Sequence, residues 1–288
     1  KIIQPDGSVI TNINYAHAKN FKNIKDIALA KSEIIDNTKS SGSVVLNADD
    51  DFFEFHKAKA LNKKLKVISF GIKNKKSDIK FIKIKKSKKF YEIIVKQNNS
   101  RISFFTQNEF RNNIYNILSA LSVMSLFIDI SSLKKNIFLN FKIPDGRGNI
   151  STLNIDKKKI RLIDESYNSN PLSLKSALFN YDKINSKKAK KFLLLGDMLE
   201  LGNHSRKLHN SIVPIINKTN IDKVYVKGKN VSGIFNKISK SKKGKILNNK
   251  SQIIELIKKD LDNNDYLMIK ASNATGFNKI IKEIKRLN

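Results

Sequence analysis

Residues 160–171 read IRLIDESYNSNP, and this stretch decides how the second half of the chain folds. Its first five residues, IRLID, read as a short strand, and the proline at its end suits the first turn of a following helix. A strand, a polar loop and a helix in that order are the repeating unit of a parallel sheet. One of Asn168, Ser169 or Asn170 is expected to cap the helix that begins at Pro171. Capping occupies one side chain and leaves Asp164, Glu165 and Asn168 without a structural task, so the segment stands above an ordinary helix start.

The same alternation extends toward the C-terminus. KFLLLGD (191–197), KVYVKG (223–228) and DYLMIKA (265–271) read as strands, with helices from 205, near 251 and from 276. Toward the N-terminus, strands are expected at SVITNI (8–13), SVVLN (43–47) and KVISFGI (66–72), with a helix at 24–35. FIKIKK, YEIIVKQ and RISFFT alternate with period two and predict a small antiparallel segment; apolar residues at helical spacing predict a helix over 111–127. KIPDGRGN (142–149), with its proline and two glycines, marks the boundary, giving domains at 1–143 and 144–288. The fold class is therefore α/β: a mostly parallel sheet with an antiparallel segment, then a doubly wound, Rossmann-like domain. The polar clusters at 47–51, 164–170, 196–200 and 270–273 fall at carboxyl ends of strands, where such sheets bind ligands.

Composition narrows the classes. The 288 residues contain no cysteine, which excludes disulfides and thiolate metal sites and fits a reducing cytoplasm. No apolar run approaches membrane-spanning length, so no membrane insertion is expected. The net charge of +31 invites a nucleic-acid reading, but it comes from 50 Lys and only 6 Arg dispersed over strands, helices and loops, which points to solvated faces and no nucleic-acid partner. The dense runs at 73–89 and 187–191 suit exposed strand edges and loops. The first methionine is Met124, so a translation start is expected to precede Lys1.

Three further groups carry chemistry. His17 and Lys31, 14 residues apart, make no ligand set on spacing alone, although a lysine carbamylated by carbon dioxide would offer magnesium hard oxygen donors. Asn113 and Asn116 share a helix face; their amides suit an adenine edge, or simply capping and solvation. GDMLELG (196–202) sets Asp197 and Glu200 beside a strand-end glycine, as a tight turn with a capped helix also would. No G-x-x-x-x-G-K-[ST] loop, G-x-S-x-G elbow or H-E-x-x-H helix occurs in the sequence.

Taken in order, these segments resemble the Mur ligases. TNINYAHAKNF with AKSEII, NADD (47–50), NNIYN (112–116), DESYNSNP (164–171), GDMLELG and KASNATG (270–276) correspond to family motifs close to TNIGxAHLExF with AKGEI, NADD, HNxxN, DDSYNANP, GDMLELG and KGSxxxG. The nearest members in motif are those that add D-alanyl-D-alanine. The resemblance implies ATP-dependent amide-bond formation through an acyl phosphate, with ATP and Mg2+ as cofactors and a UDP-N-acetylmuramoyl tripeptide and D-alanyl-D-alanine as substrates, in a cytoplasmic monomer. It implies that His17 and carbamylated Lys31 bind magnesium, that Asn113 and Asn116 contact adenine, and that Arg147 and Glu165 approach phosphate and ribose. Asn168, Asn170, Asp197 and Lys270 would lie near the dipeptide. The sequence departs from the family at Asn14, Asn112 and Glu165, where the motifs carry Gly, His and Asp. The family's UDP-binding domain and P-loop are expected to precede Lys1, and without them the 288 residues are expected to be inactive alone. Other readings are a different amino-acid-adding or folylpolyglutamate synthase-like ligase, and a basic nucleic-acid-binding module.

Overall fold

The computed structural model describes residues 3–16, 18–141, 143–185 and 188–286. The chain divides into two compact units: Lys1–Asn14 with Phe21–Lys142, and Tyr15–Asn20 with Ile143–Asn288.

The first unit carries one six-stranded sheet in sequence order, β1 (Gly7–Ile10), β2 (Ser43–Asn47), β3 (Lys66–Gly71), β4 (Ile79–Lys86), β5 (Tyr91–Gln97) and β6 (Ser100–Thr106). β1 to β3 are parallel and β4 joins β3 through two residue pairs only; β4, β5 and β6 are antiparallel, as their period-two pattern predicts. The intervening helices are α1 (Ile24–Asn37), α2 (Phe53–Asn62) and α3 (Arg111–Met124). α1 begins at a capping box in which Asn23 and Asp26 satisfy each other's backbone donors. Ile114, Ile117, Leu118 and Leu121 of α3 pack on Val45, Phe70, Ile79, Ile93, Val95 and Phe104 of the sheet.

Two expectations shift here. β1 stops at Ile10 and does not reach residue 13, because residues 11–13 are taken by side chains at the end of β2: Asn47 Nδ2 donates to the Thr11 carbonyl at 2.9 Å, and the Ile13 N–H donates to Asp50 Oδ2 at 2.7 Å. α2 lies where no element is expected; its buried positions, Phe53, His56 and Ala60, have helical spacing but little apolar contrast.

The second unit holds a sheet in the order β11-β10-β9-β12-β8-β7. Its strands are β7 (Asn149–Ile155), β8 (Lys158–Glu165), β9 (Lys191–Gly196), β10 (Lys223–Lys227), β11 (Lys243–Ile246) and β12 (Tyr266–Lys270). β8 to β12 are parallel, and β7 is antiparallel to β8. The helices are α4 (Pro171–Asp182), α5 (Ser205–Lys218), α6 (Lys229–Phe235), α7 (Lys250–Glu255) and α8 (Phe277–Arg286). Apolar side chains of β8, β9 and β12 pack with Ile253, Leu256, Phe277, Ile281 and Ile284 in one core. β7 is not expected from the sequence, because its turn onto β8 is Asp156–Lys157, both at positive φ, without the glycine that marks such a turn. The exposed-loop expectation for 187–191 fails at Lys191, which is 2% exposed and donates to the Asp182 carbonyl and Asn220 Oδ1, each at 2.9 Å. Lys187 lies outside the described residues.

The order of strands defines the functional geometry. The chain builds outward from β8 to β9, β10 and β11, then returns to insert β12 between β9 and β8. The carboxyl ends of β8, β12 and β9 thereby meet at a topological switch point, where open α/β sheets bind ligands.

Candidate functional site

In the second unit the loop after β8 is built from its own polar side chains. Asp164 accepts from the Ser166 N–H and hydroxyl at 3.1 and 2.7 Å. Asn168 Oδ1 accepts the Ser169 N–H at 2.7 Å, and Asn170 caps α4 with Pro171 in its first turn. Asn170 is thus the cap among the three candidates. The PDGRGN turn lies against this loop: the Gly148 N–H donates to the Asp164 carbonyl at 2.7 Å and the Tyr167 N–H to the Gly146 carbonyl at 3.1 Å. Both glycines have positive φ, and a Cβ would sit 2.8 Å from Tyr167 backbone at Gly146 and 2.9 Å from Glu165 Oε1 at Gly148. Arg147, between them, stacks its guanidinium 4.3 Å from the centre of the Tyr167 ring.

Glu165 and Lys270 are opposite one another in the β8–β12 register. Lys270 Nζ lies 3.3 Å from Glu165 Oε2 and also donates to the Asn168 carbonyl; the Lys270 side chain is 1% exposed and that of Glu165 21%. Burial pushes the Glu165 carboxyl up, against the opposing pull of the Lys270 ammonium, and pushes the Lys270 ammonium down, against the pull of Glu165.

The loop after β9 is held from two sides. Asp197 accepts from the Asn230 and Val231 N–H groups at 3.3 and 2.8 Å, holding the start of α6. His209, 1% exposed on α5, accepts the Met198 N–H at Nε2 (3.1 Å), while its Nδ1 faces the Ser205 carbonyl at 2.8 Å. A carbonyl can only accept, so Nδ1 carries the proton and the ring is neutral; burial lowers its pKa accordingly. Ser272, just past β12, accepts the Leu199 N–H at 2.9 Å and donates to the Ser169 carbonyl at 3.2 Å, tying three strand-end loops together.

These loops line a cavity of about 530 Å3 whose wall includes Asn168, Ser169, Asn170, Glu200, Ser272 and Lys279. Glu200 stands at φ +61°, a left-handed conformation that L residues adopt at a cost. Of the predicted substrate residues, Asn168 and Asn170 line this cavity, whereas Lys270 and Asp197 lie behind it, engaged in holding its loops.

In the first unit, the carboxyl ends of β1 and β2 gather a second polar group. Lys31 on α1 donates to the Asn12 carbonyl at 3.0 Å, and partial burial lowers its pKa, with the Asp50 carboxylate opposing. Asp49 accepts the N–H groups of Ile72, Lys73 and Asn74 at 2.6, 2.9 and 2.7 Å and the Tyr115 hydroxyl at 2.8 Å. Burial raises its pKa, but these donors outweigh it and leave the carboxyl below the usual range. Tyr115 links this carboxylate to α3, which carries Asn113, whose amide donates to Thr106 Oγ1 at 2.8 Å, and the exposed Asn116. His17 lies outside the described residues. The described residues hold no group of three or more His, Asp or Glu side chains suited to a metal ion.

Sequence reasoning passed over Tyr115, His209 and Ser272. His209 had a signal: with Ile212, Val213 and Ile216 it falls on the buried face of α5. The serine and tyrosine had none, because their partners lie 73 and 66 residues away.

Known proteins share this arrangement. The Mur ligase middle domain matches residues 1–124, and the Mur ligase, glutamate ligase domain matches 151–273. A UDP-N-acetylmuramoyl-tripeptide--D-alanyl-D-alanine ligase of Rickettsia prowazekii is 29% identical over 98% of this chain and 61% of its own length. The enzyme of the same name from Buchnera aphidicola is 30% identical over 98% of this chain and 60% of its own length. The chain thus spans about 60% of the length of these relatives. Among solved structures, MurF from Acinetobacter baumannii superposes with a TM-score of 0.83 at 21% identity, over 99% of this chain and 60% of that one. MurF ligase from Thermotoga maritima in complex with ADP gives 0.79 at 21% identity, over 99% and 63%.

Proposed function

The chain belongs to the Mur ligase family, and on that premise we propose that it serves the ATP-driven joining of D-alanyl-D-alanine to a UDP-N-acetylmuramoyl tripeptide. The observation that carries this reading is the cavity of the second unit, where DESYNSNP, GDMLELG and KASNATG, separate in sequence, come together at the ends of β8, β9 and β12.

In this reading the cavity receives the dipeptide. Asn168 and Asn170 offer amide donors and acceptors to its peptide group, and Lys279 offers a cation to its carboxylate. Lys270 and Asp197 position these walls: Lys270 through the Asn168 carbonyl, Asp197 through the start of α6. In the first unit, Asn113 and Asn116 contact adenine from a helix braced by Tyr115 and Asp49. Arg147 and Glu165 approach phosphate and ribose; Glu165 is already engaged at Oε2, which leaves Oε1 for a ribose hydroxyl.

The tripeptide carboxylate takes the γ-phosphoryl group of ATP to give an acyl phosphate, and the dipeptide amine displaces phosphate from it. Holding the amine in a fixed cavity supplies the proximity that the second step needs. Magnesium would neutralise phosphate charge, held by His17 and by Lys31 as a carbamate. The lowered pKa of Lys31 supports that role, since carbon dioxide adds only to the neutral amine. No helix among the described residues is long and apolar enough to cross a membrane; a cytosolic setting, where ATP is available, suits the reaction.

The test is a ligand-observed NMR titration of the chain with D-alanyl-D-alanine, glutamate, lysine and diaminopimelate. Binding of the dipeptide alone is expected. Preference for a single amino acid would assign the chain to another amine-adding branch of the family.

A further inference from the structure

The loop that forms one wall of the cavity carries a hydroxyl with nothing to bond. Ser169 is 2% exposed, and its Oγ has no hydrogen-bonding partner among the described residues. Buried polar atoms without partners are rare in folded proteins and each calls for an explanation. The backbone of Ser169 is fixed on both sides, its N–H by Asn168 Oδ1 at 2.7 Å and its carbonyl by the Ser272 hydroxyl at 3.2 Å. Rotation about χ1 is the freedom that remains, and it moves the hydroxyl among staggered positions without shifting the wall. Among the described residues the other such atom is Ser151 Oγ, whose residue belongs to β7 and does not line the cavity, whereas residue Ser169 does. The motif close to DDSYNANP that the stretch resembles has alanine where this chain has Ser169.

We propose that Ser169 is a specificity-determining residue whose hydroxyl donates a hydrogen bond to an acceptor oxygen of the incoming dipeptide. This rests on the reading of the cavity as the dipeptide site and adds to it a recognition contact that an alanine cannot make. Sheltered from water, that contact discriminates against ligands lacking the acceptor more sharply than an exposed one.

The experiment compares the native chain with Ser169→Ala in two measurements: affinity for D-alanyl-D-alanine by NMR titration, and the urea unfolding midpoint without dipeptide. Ser169→Ala is expected to bind roughly threefold to tenfold more weakly while its unfolding midpoint does not fall, because the unliganded protein loses no bond. Equal affinity overturns the proposal. So does weaker binding accompanied by a lower midpoint, which would mean that the hydroxyl holds the loop itself, through an internal water. Failure of the native chain to bind the dipeptide at millimolar concentration removes the reading of the cavity and this inference with it. Native binding matched by Ser169→Ala removes the Ser169 assignment alone.

Discussion

Replacing Lys270 with methionine tests the central contact of the second unit. Methionine keeps most of the buried stem and removes the ammonium, so packing is largely preserved. What is lost is the charge partner of Glu165, 3.3 Å away, and a donor to the Asn168 and Glu165 carbonyls. Breaking a buried ion pair from one side costs ~3–5 kcal/mol. Glu165 is 21% exposed and recovers some hydration, so Lys270→Met is expected to cost about 3 kcal/mol near neutral pH. Adding Glu165→Gln removes the stranded carboxylate, and the double variant should recover about 1 kcal/mol or more. The sign with pH follows from Glu165, whose folded pKa is raised by burial. A raised carboxyl contributes stability that is complete below its unfolded value of 4.5 and is lost as pH rises through the folded value. In Lys270→Met that value rises further, so the deficit should shrink toward about pH 5 and should lose this dependence once Glu165→Gln is added. The chain has no tryptophan, so urea unfolding is best followed by far-UV circular dichroism. A Lys270→Met deficit below about 0.5 kcal/mol, or strict additivity with Glu165→Gln, would refute the reasoning.

Two other outcomes follow from single groups. His209 is buried and neutral, and its folded pKa lies below its ordinary value of 6.5; its contribution is full above that value and is lost as pH falls toward the folded one, so His209→Gln should remove about one proton from the slope of stability against pH there. Asp49→Asn replaces a carboxylate that accepts three backbone N–H groups and the Tyr115 hydroxyl with an amide that has one acceptor oxygen, and it should cost about 1–3 kcal/mol and speed amide hydrogen exchange at Ile72 and Asn74.

What was legible in the sequence follows from how each element is buried. β9 and β12 are covered on both faces and read as nearly continuous apolar runs, whereas β8 exposes Lys159 and Arg161 and is buried without a break only over Leu162–Asp164; the polar residues that follow mark the strand ends. β5 and β6 each have one drier face, with Ile93 and Val95 and then Phe104 and Thr106 buried at alternate positions. α2 was not legible because one buried position holds a histidine and another an alanine; His56 is accommodated by its bond to the Ala28 carbonyl, a partner the sequence does not announce. Lys191 looked like part of a solvated run, and only the last residue of α4 and the loop after α5, which supply its two acceptors, explain its burial. At the candidate site the residue types were legible but their division of labour was not. Asn168 and Asp197 look alike as polar strand-end residues, yet one faces the cavity and the other holds a helix behind it.

That division is set by register more than by loop sequence. β12 pairs Lys270 with Glu165 on one side and with Leu195 on the other, so one row across the sheet joins the last residues of β8 and β12 to the last residue but one of β9. Just beyond that row Ser166 and Ala271 begin their loops, level with Gly196, the last residue of β9. A slip of β12 by one residue would turn the Lys270 side chain to the opposite face and separate the Ser272 hydroxyl from both of its partners. The extra methylene of Glu165, relative to the aspartate of the family motif, is accommodated within this frame because Gly148 has no side chain where Oε1 lies. Ser169 is tolerated for the complementary reason: its backbone bonds are fixed by Asn168 and Ser272 whatever its side chain. A frame of this kind fixes the backbone of the cavity wall by register and leaves single side chains such as Ser169 free to differ.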